Sequence, residues 1–222
     1  RSLQMLTNLK SVAQNGKAQF PAISVNICQE GTQTPYFTPY VTMTVNGTKV
    51  GILGYTNDSS SYLGADTENI IDVVKCTWAG GSGTISIRDW VNTLRTTENC
   101  DVVILLSHIG QSRVSSGTDA LIVDTGDVKP PEVVISGHWH TWSERVWQPS
   151  NLNGKTIVAE AASYLQYIGE INLSNSGGYV DAHKHVIRNS EITPDTAINT
   201  LLDTLINEYS SQVPAPVHGL NE

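Results

Sequence analysis

The chain has 222 residues, a formal net charge of −8 at neutral pH, 39% hydrophobic residues and only 15% charged ones. That length can bury a sizeable core, and the apolar fraction with ordinary Gly and Pro content argues against a disordered or collagen-like chain. The acidity argues against a broad nucleic-acid footprint, while leaving metal ions free to draw a phosphate into a local site. No apolar run approaches the ~18 residues of a membrane span and no basic-then-apolar leader is read, so no membrane span is expected. Scarce charge beside abundant Ser, Thr, Asn and Gln suits a periplasmic, cell-surface or secreted protein.

In chain order, Leu3, Leu6 and Leu9 stand at helical spacing in a segment that stops at Gly16. AISVNI over residues 22–27 reads as a short buried strand. PYVTMTV and TKVGILGYT flank Asn46-Gly47, a strong hairpin signal. Residues 57–82, rich in Ser, Gly, Asp and Asn, read as an irregular excursion. The spacing of Ile87, Val91 and Leu94 predicts a helix in TISIRDWVNTLRTTENC. DVVILLSH is a continuous apolar run of the kind found in strands covered on both faces, and EVVISGHWH repeats the pattern of apolar strand followed by His. KTIVAEAAS, LQYIGEINL and GGYVDAHKHVI alternate and suit antiparallel strands. A terminal helix is predicted in PDTAINTLLDTLINEYSSQ, with Pro194 in its first turn and Ile198, Leu201, Leu202, Leu205 and Ile206 as its apolar stripe. VPAPV then reads as a linker.

Cys28, Cys76 and Cys100 form no CxxC motif, so neither a cysteine zinc site nor a redox motif is indicated. A Cys76–Cys100 bridge and three unpaired thiols are equally compatible with the spacing.

The chemistry lies in the histidines. His138 and His140 follow a buried run and Gly137, which permits a sharp bend, and imidazole is among the commonest ligands of zinc, manganese and iron. His108 ends another apolar strand with Gly110 close behind. Two strands of one sheet ending in His bring three imidazoles to one edge, where α/β sheets place ligands. Asp and His are missing after His140, and HExxH, GxSxG, P-loop and GxGxxG patterns do not occur. His183 and His185 form a second HxH without a strand-end Gly and read as exposed strand residues; His218 reads as solvated. Trp139 suits packing against a neighbouring loop, with stacking on a substrate ring as the alternative. Asp119, Asp124 and Asp127 read as solvated loop carboxylates that could otherwise support an imidazole N–H.

VNGTKVGILGYT, DVVILLSHIG, EVVISGHWHT and AEAASYLQYIGEINL, in this order, resemble the latter part of the calcineurin-like metallophosphoesterases of the 5′-nucleotidase type. The resemblance runs from about residue 5 to 190 and implies an α/β fold, part of a four-layer α/β/β/α sandwich with mixed sheets. Residues 1–190 would be the C-terminal part of the metallophosphoesterase domain, and 191–222 a linker helix and connection toward a missing C-terminal domain. The family implies two divalent metal ions (zinc or manganese, with iron, calcium or magnesium as further options). His108 and His138 would bind one ion and His140 the other. The family's Asp-x-His, Gly-Asp and Gly-Asn-His-Asp/Glu motifs, which supply the bridging carboxylate, the other ligands and the leaving-group histidine, do not occur ahead of these four stretches in this sequence. The expected catalytic residues therefore lie upstream of Arg1, and the partners are the missing N-terminal half of the same domain and a small phosphorylated substrate such as a nucleotide. The expected function is phosphate-ester hydrolysis of the 5′-nucleotidase or cyclic-nucleotide phosphodiesterase kind. The alternatives are a thiosulfohydrolase on the same scaffold and a non-catalytic, metal-binding or structural chain.

Overall fold

The computed structural model describes residues 20–57, 71–110, 128–147, 156–174, 178–187 and 193–212. The chain divides into two compact units, Arg1–Val186 and Ile187–Glu222. The expected N-terminal helix, the VPAPV linker, His218 and the loop holding Asp119, Asp124 and Asp127 lie outside the described residues.

The first unit is built on a six-stranded mixed sheet. β1 (Ile27–Gln29) precedes β2 (Tyr40–Val45) and β3 (Thr48–Tyr55), the two halves of the expected hairpin. Its two-residue turn puts Asn46 at φ 50° and Gly47 at φ 84°, the left-handed pair that matches strand twist and that Asn-Gly adopts most cheaply. Then come β4 (Ile71–Val73), β5 (Cys76–Thr77) and β6 (Ile85–Ser86). The helix α1 (Ile87–Asn92) follows and runs into a π-helical turn, Thr93–Thr97. The remaining sheet strands are β7 (Val102–Ser107), β8 (Val133–Ser136), β9 (Trp142–Trp147) and β10 (Thr156–Ala161). Their order in the sheet is β2-β3-β7-β8-β10-β9. β3, β7, β8 and β10 run parallel, and β2 and β9 close the edges antiparallel. β11 (Tyr167–Leu173) and β12 (Tyr179–Val186) form a separate antiparallel pair with an irregularity at Asn172/Leu173.

One face of the sheet carries the core: Leu53, Val103, Leu105, Val134 and Val158 are buried together with Ile87, Val91 and Leu94 of the helical segment. Ser86 caps α1, its hydroxyl accepting from the Asp89 N–H at 3.1 Å. A Cβ at Gly51 would lie 2.9 Å from Leu94 Cδ2 and 3.0 Å from Cys100 Sγ, so the bare glycine lets Leu94 lie directly on β3. Burying a side chain of that size stabilises the fold by about 1.5–3 kcal/mol.

The mixed α/β architecture is as expected, and the structure corrects several local readings. Within AISVNI only Ile27 belongs to a strand, β1; the buried Ser24–Asn26 before it follows β3 through Val25 N–H to Gly54 O at 2.8 Å. The Asn26 amide then bonds the Thr56 carbonyl and N–H, both at 2.9 Å, which replaces a regular ladder. Within the 57–82 excursion, β4 pairs with β1 and β5 with β6. β7 is not covered on both faces, because Leu106, and Ile135 beside it on β8, are exposed. β10 is parallel to β8 rather than part of an all-antiparallel series, and β9 answers to no strand in the sequence reading. All three cysteines are buried, and among the described residues none is joined in a disulfide.

The second unit holds α2 (Thr196–Gln212). Asp195, not Pro194, opens it: its carboxylate accepts the N–H groups of Ala197 and Ile198 at 2.9 and 3.0 Å. The stripe of Ile198, Leu201, Leu202, Leu205 and Ile206 is exposed. Among the described residues, no helix is long and apolar enough to cross a membrane.

Candidate metal centre

His108 and His138 meet at the carboxyl ends of β7 and β8, adjacent parallel strands, with ring centres 5.5 Å apart and planes at 71°. Two imidazoles sharing one tetrahedral zinc, with bonds of ~2.0–2.1 Å, have ring centres roughly 5 Å apart. The centre-to-centre spacing of the pair is compatible with a common cation. The fit is helped by a cradle: a Cβ at Gly137 would come within 2.8 Å of His108 Nδ1, so the glycine leaves the room that this ring occupies. His140 is exposed and sets its ring edge against Tyr164, with centres 5.5 Å apart. Among the described residues, no three His, Cys, Asp or Glu side chains converge to hold an ion. His108 and His138 stand as a ring pair, and among the described residues His140 does not join them in a closed ligand set.

The backbone here is unusual. His138 and His140 have φ of 89° and 59°, and Ala162, Tyr164 and Leu165 have 59°, 58° and 55°. Asn46 and Asn99 complete the non-glycine residues with positive φ among those described. Asn, and to a degree His, tolerates this region, whereas Ala, Tyr and Leu enter it at a cost of about 1–2 kcal/mol each. The strain is thus concentrated in the loops after β8 and β10, which a hydrogen bond from Ala162 N–H to Thr141 O ties together at 3.1 Å. Such concentrations accompany binding and catalytic sites, where geometry outweighs local comfort.

Trp139 packs against Gly110 of the His108 loop, so closely that a Cβ on Gly110 would overlap its indole at 1.6 Å. Packing against a loop is thus its role here. An open cavity of about 230 Å³ adjoins His108, lined by Ser24, Tyr55, Thr56 and Ser107 with Ile23, Ile27 and Leu106 as apolar walls.

His183 and His185 lie on β12 as exposed residues, far in character from the strand-end pair. His185 Nε2 is 2.8 Å from Glu170 Oε2, and His183 Nε2 is 3.6 Å from Asp181 Oδ2. The Glu170 carboxyl is held below its ordinary range, first by a hydrogen bond from Asn172 and then by His185.

Two features escaped the sequence reading. Tyr164 beside His140 gave no signal. Glu160 did: it is a lone carboxylate in the apolar run TIVAEA, and it is 2% exposed with no hydrogen-bond partner on either oxygen among the described residues.

No protein-family model matches the chain. A 5′-nucleotidase of Diplobatis ommata is 27% identical over 201 residues, covering 81% of this chain and 32% of that protein. The chain thus spans about a third of the length of the relatives it matches. The solved 5′-nucleotidase precursor of Thermus thermophilus superimposes with a TM-score of 0.62 at 20% identity, covering 87% of this chain and 39% of that one. A Thermus thermophilus sulfate thiohydrolase, SoxB, gives a TM-score of 0.63 at 15% identity over 91% of this chain and 34% of that one. The latter two likenesses concern the fold. The chain is thus similar in sequence to proteins named 5′-nucleotidase, in agreement with the ordered strand-end motifs, and it shares the mixed-sheet α/β fold of a solved 5′-nucleotidase precursor.

Proposed function

We propose that the chain supplies the histidine half of a dinuclear centre that hydrolyses phosphate esters, with nucleotides or cyclic nucleotides as substrates. The observation that carries this reading is the meeting of the His108 and His138 imidazoles, 5.5 Å apart, at the ends of adjacent parallel strands. His108 and His138 hold one divalent ion, zinc or manganese, and His140 contributes to the second. The separation of His140, whose ring lies on Tyr164, supports this division. Neutral imidazoles bind a cation without adding negative charge that would repel a phosphate. The ions, when bound, polarise phosphoryl oxygens and lower the pKa of a bound water. The cavity beside His108 offers room for part of a substrate. The remaining ligands and the bridging carboxylate come from the N-terminal half of the domain, which carries the Asp-x-His, Gly-Asp and Gly-Asn-His motifs. Residues 1–190 form the C-terminal part of that domain, and residues 191–222 link it to a further one. The setting is the periplasm, the cell surface or the exterior.

Because no closed ligand set exists among the described residues, the chain by itself is expected to release no phosphate from AMP above the metal-only background. Combined with a segment carrying the three missing motifs, it should turn over, and His108→Ala or His138→Ala should abolish that turnover. Robust hydrolysis by the chain alone, retained in His138→Ala, overturns the reading. Thiosulfate-ester substrates assayed alongside test the second reading, a thiosulfohydrolase on the same scaffold.

A further inference from the structure

Two carboxylates are buried in this sheet, each 2% exposed, and they are treated in opposite ways. Glu132, just before β8, receives Arg95 Nη2 at 3.0 Å, Lys129 Nζ at 2.6 Å and the Val103 N–H at 2.6 Å. That set satisfies and neutralises it. Glu160, near the end of β10, has no donor on either oxygen among the described residues. Removing a carboxylate from water without a partner is among the costliest events in a folded chain. The difference follows position. Glu132 lies at the amino end of β8, away from the histidines. Glu160 is in register with Ser136 of β8 and Ser143 of β9. Ser136 is followed directly by Gly137 and His138, so Glu160 stands at the edge where β8 delivers its histidines. It shares the core face with Val158, two residues before it, so the carboxylate is held dry behind that edge.

We propose that Glu160 is a positioning residue of the metal centre. It is the buried counter-charge of the cation held at the histidine edge, and it accepts a ring N–H of that ligand layer, that of His138, once a cation occupies the other ring nitrogen. Carboxylates of this kind orient metal-bound imidazoles and raise their basicity. A carboxylate kept for this purpose is an electrostatic liability without the cation and an asset with it. The inference rests on the proposed metal centre.

The test titrates the full 222-residue chain, combined with a segment carrying the three missing motifs, with zinc ion alone by calorimetry, and measures the urea midpoint of the chain by itself in EDTA. Glu160→Gln should raise the midpoint in EDTA, because an uncompensated charge is removed, and weaken zinc binding by about 10–100-fold. Glu160→Met, which removes the polar group altogether, should do the same and keeps the test valid if the amide disturbs folding. A merely structural carboxylate would instead lower the midpoint in EDTA when replaced and leave zinc affinity unchanged; that result, or no change in either quantity, overturns the proposal. His138→Ala separates the two failures. If zinc binding is absent in the complemented parent or is unchanged by His138→Ala, the metal centre itself is misassigned. If zinc binding depends on His138 but not on Glu160, only the present inference fails.

Discussion

The contact between Trp139 and Gly110 locks the loop after β7 to the loop after β8, and its strength can be worked from the structure. Gly110 sits at φ 96°, and a Cβ there would lie 1.6 Å from Trp139 Cδ1 and 1.8 Å from Nε1. Gly110→Ala therefore meets two separate costs. An alanine held at positive φ loses about 1–2 kcal/mol whatever surrounds it. The indole must also leave its place. Since Trp139 is already 56% exposed, the contact it forfeits is worth only about 1–2 kcal/mol. The single change should then destabilise the chain by roughly 2–4 kcal/mol in urea unfolding followed by circular dichroism. In a Trp139→Ala background the steric term is gone, and the same change should cost only the backbone term of about 1–2 kcal/mol. The double-mutant cycle should return a coupling energy of about 1–2 kcal/mol. If Gly110→Ala costs the same in both backgrounds, within about 0.5 kcal/mol, the two loops are not joined through this contact and the described arrangement of the histidine edge is wrong.

Two further outcomes are expected. Burial, reinforced by the Asp72 carboxylate, pushes the Cys28 thiol up from its ordinary 9.0 to about 11. A raised folded-state pKa means that the native chain keeps a proton the unfolded chain releases, so this contribution is complete below about pH 9 and is lost as pH rises to about 11. The stability difference between the parent and Cys28→Ala should accordingly shrink by up to ~3 kcal/mol across that window, and a constant difference would count against it. The two HxH pairs should also separate: in the complemented enzyme His140→Ala should cut phosphate release by orders of magnitude, whereas the exposed His185→Ala should change stability by less than ~0.5 kcal/mol and leave the rate nearly unchanged. The reverse pattern would show that the metal assignment rests on the wrong pair.

Much of the site was legible because its signals are local. A continuous apolar run followed by Gly and His announces a buried strand ending at a turn, and DVVILLSH and EVVISGHWH became β7 and β8 in adjacent parallel register. Asn46-Gly47 fixed its own hairpin because few dipeptides populate two left-handed positions so cheaply. Ile87, Val91 and Leu94 revealed a helix face through period alone. The family resemblance was readable for the same reason, since each motif is a few contiguous residues.

What stayed hidden depends on neighbours distant in sequence. Whether β10 runs parallel or antiparallel is settled by which strand lies beside it, and alternation within TIVAEA says nothing about that. Asn26 interrupts the strand that its apolar neighbours favoured, its amide bonding Thr56 instead of continuing a ladder. The sequence names Glu132 and Glu160 as similar carboxylates at the margins of similar strands. Only the folded chain brings Arg95, Lys129 and a free N–H to the first and, among the described residues, nothing to the second. Charge compensation in a dry interior is a matter of a few ångströms across the sheet, and no local pattern along the chain encodes it.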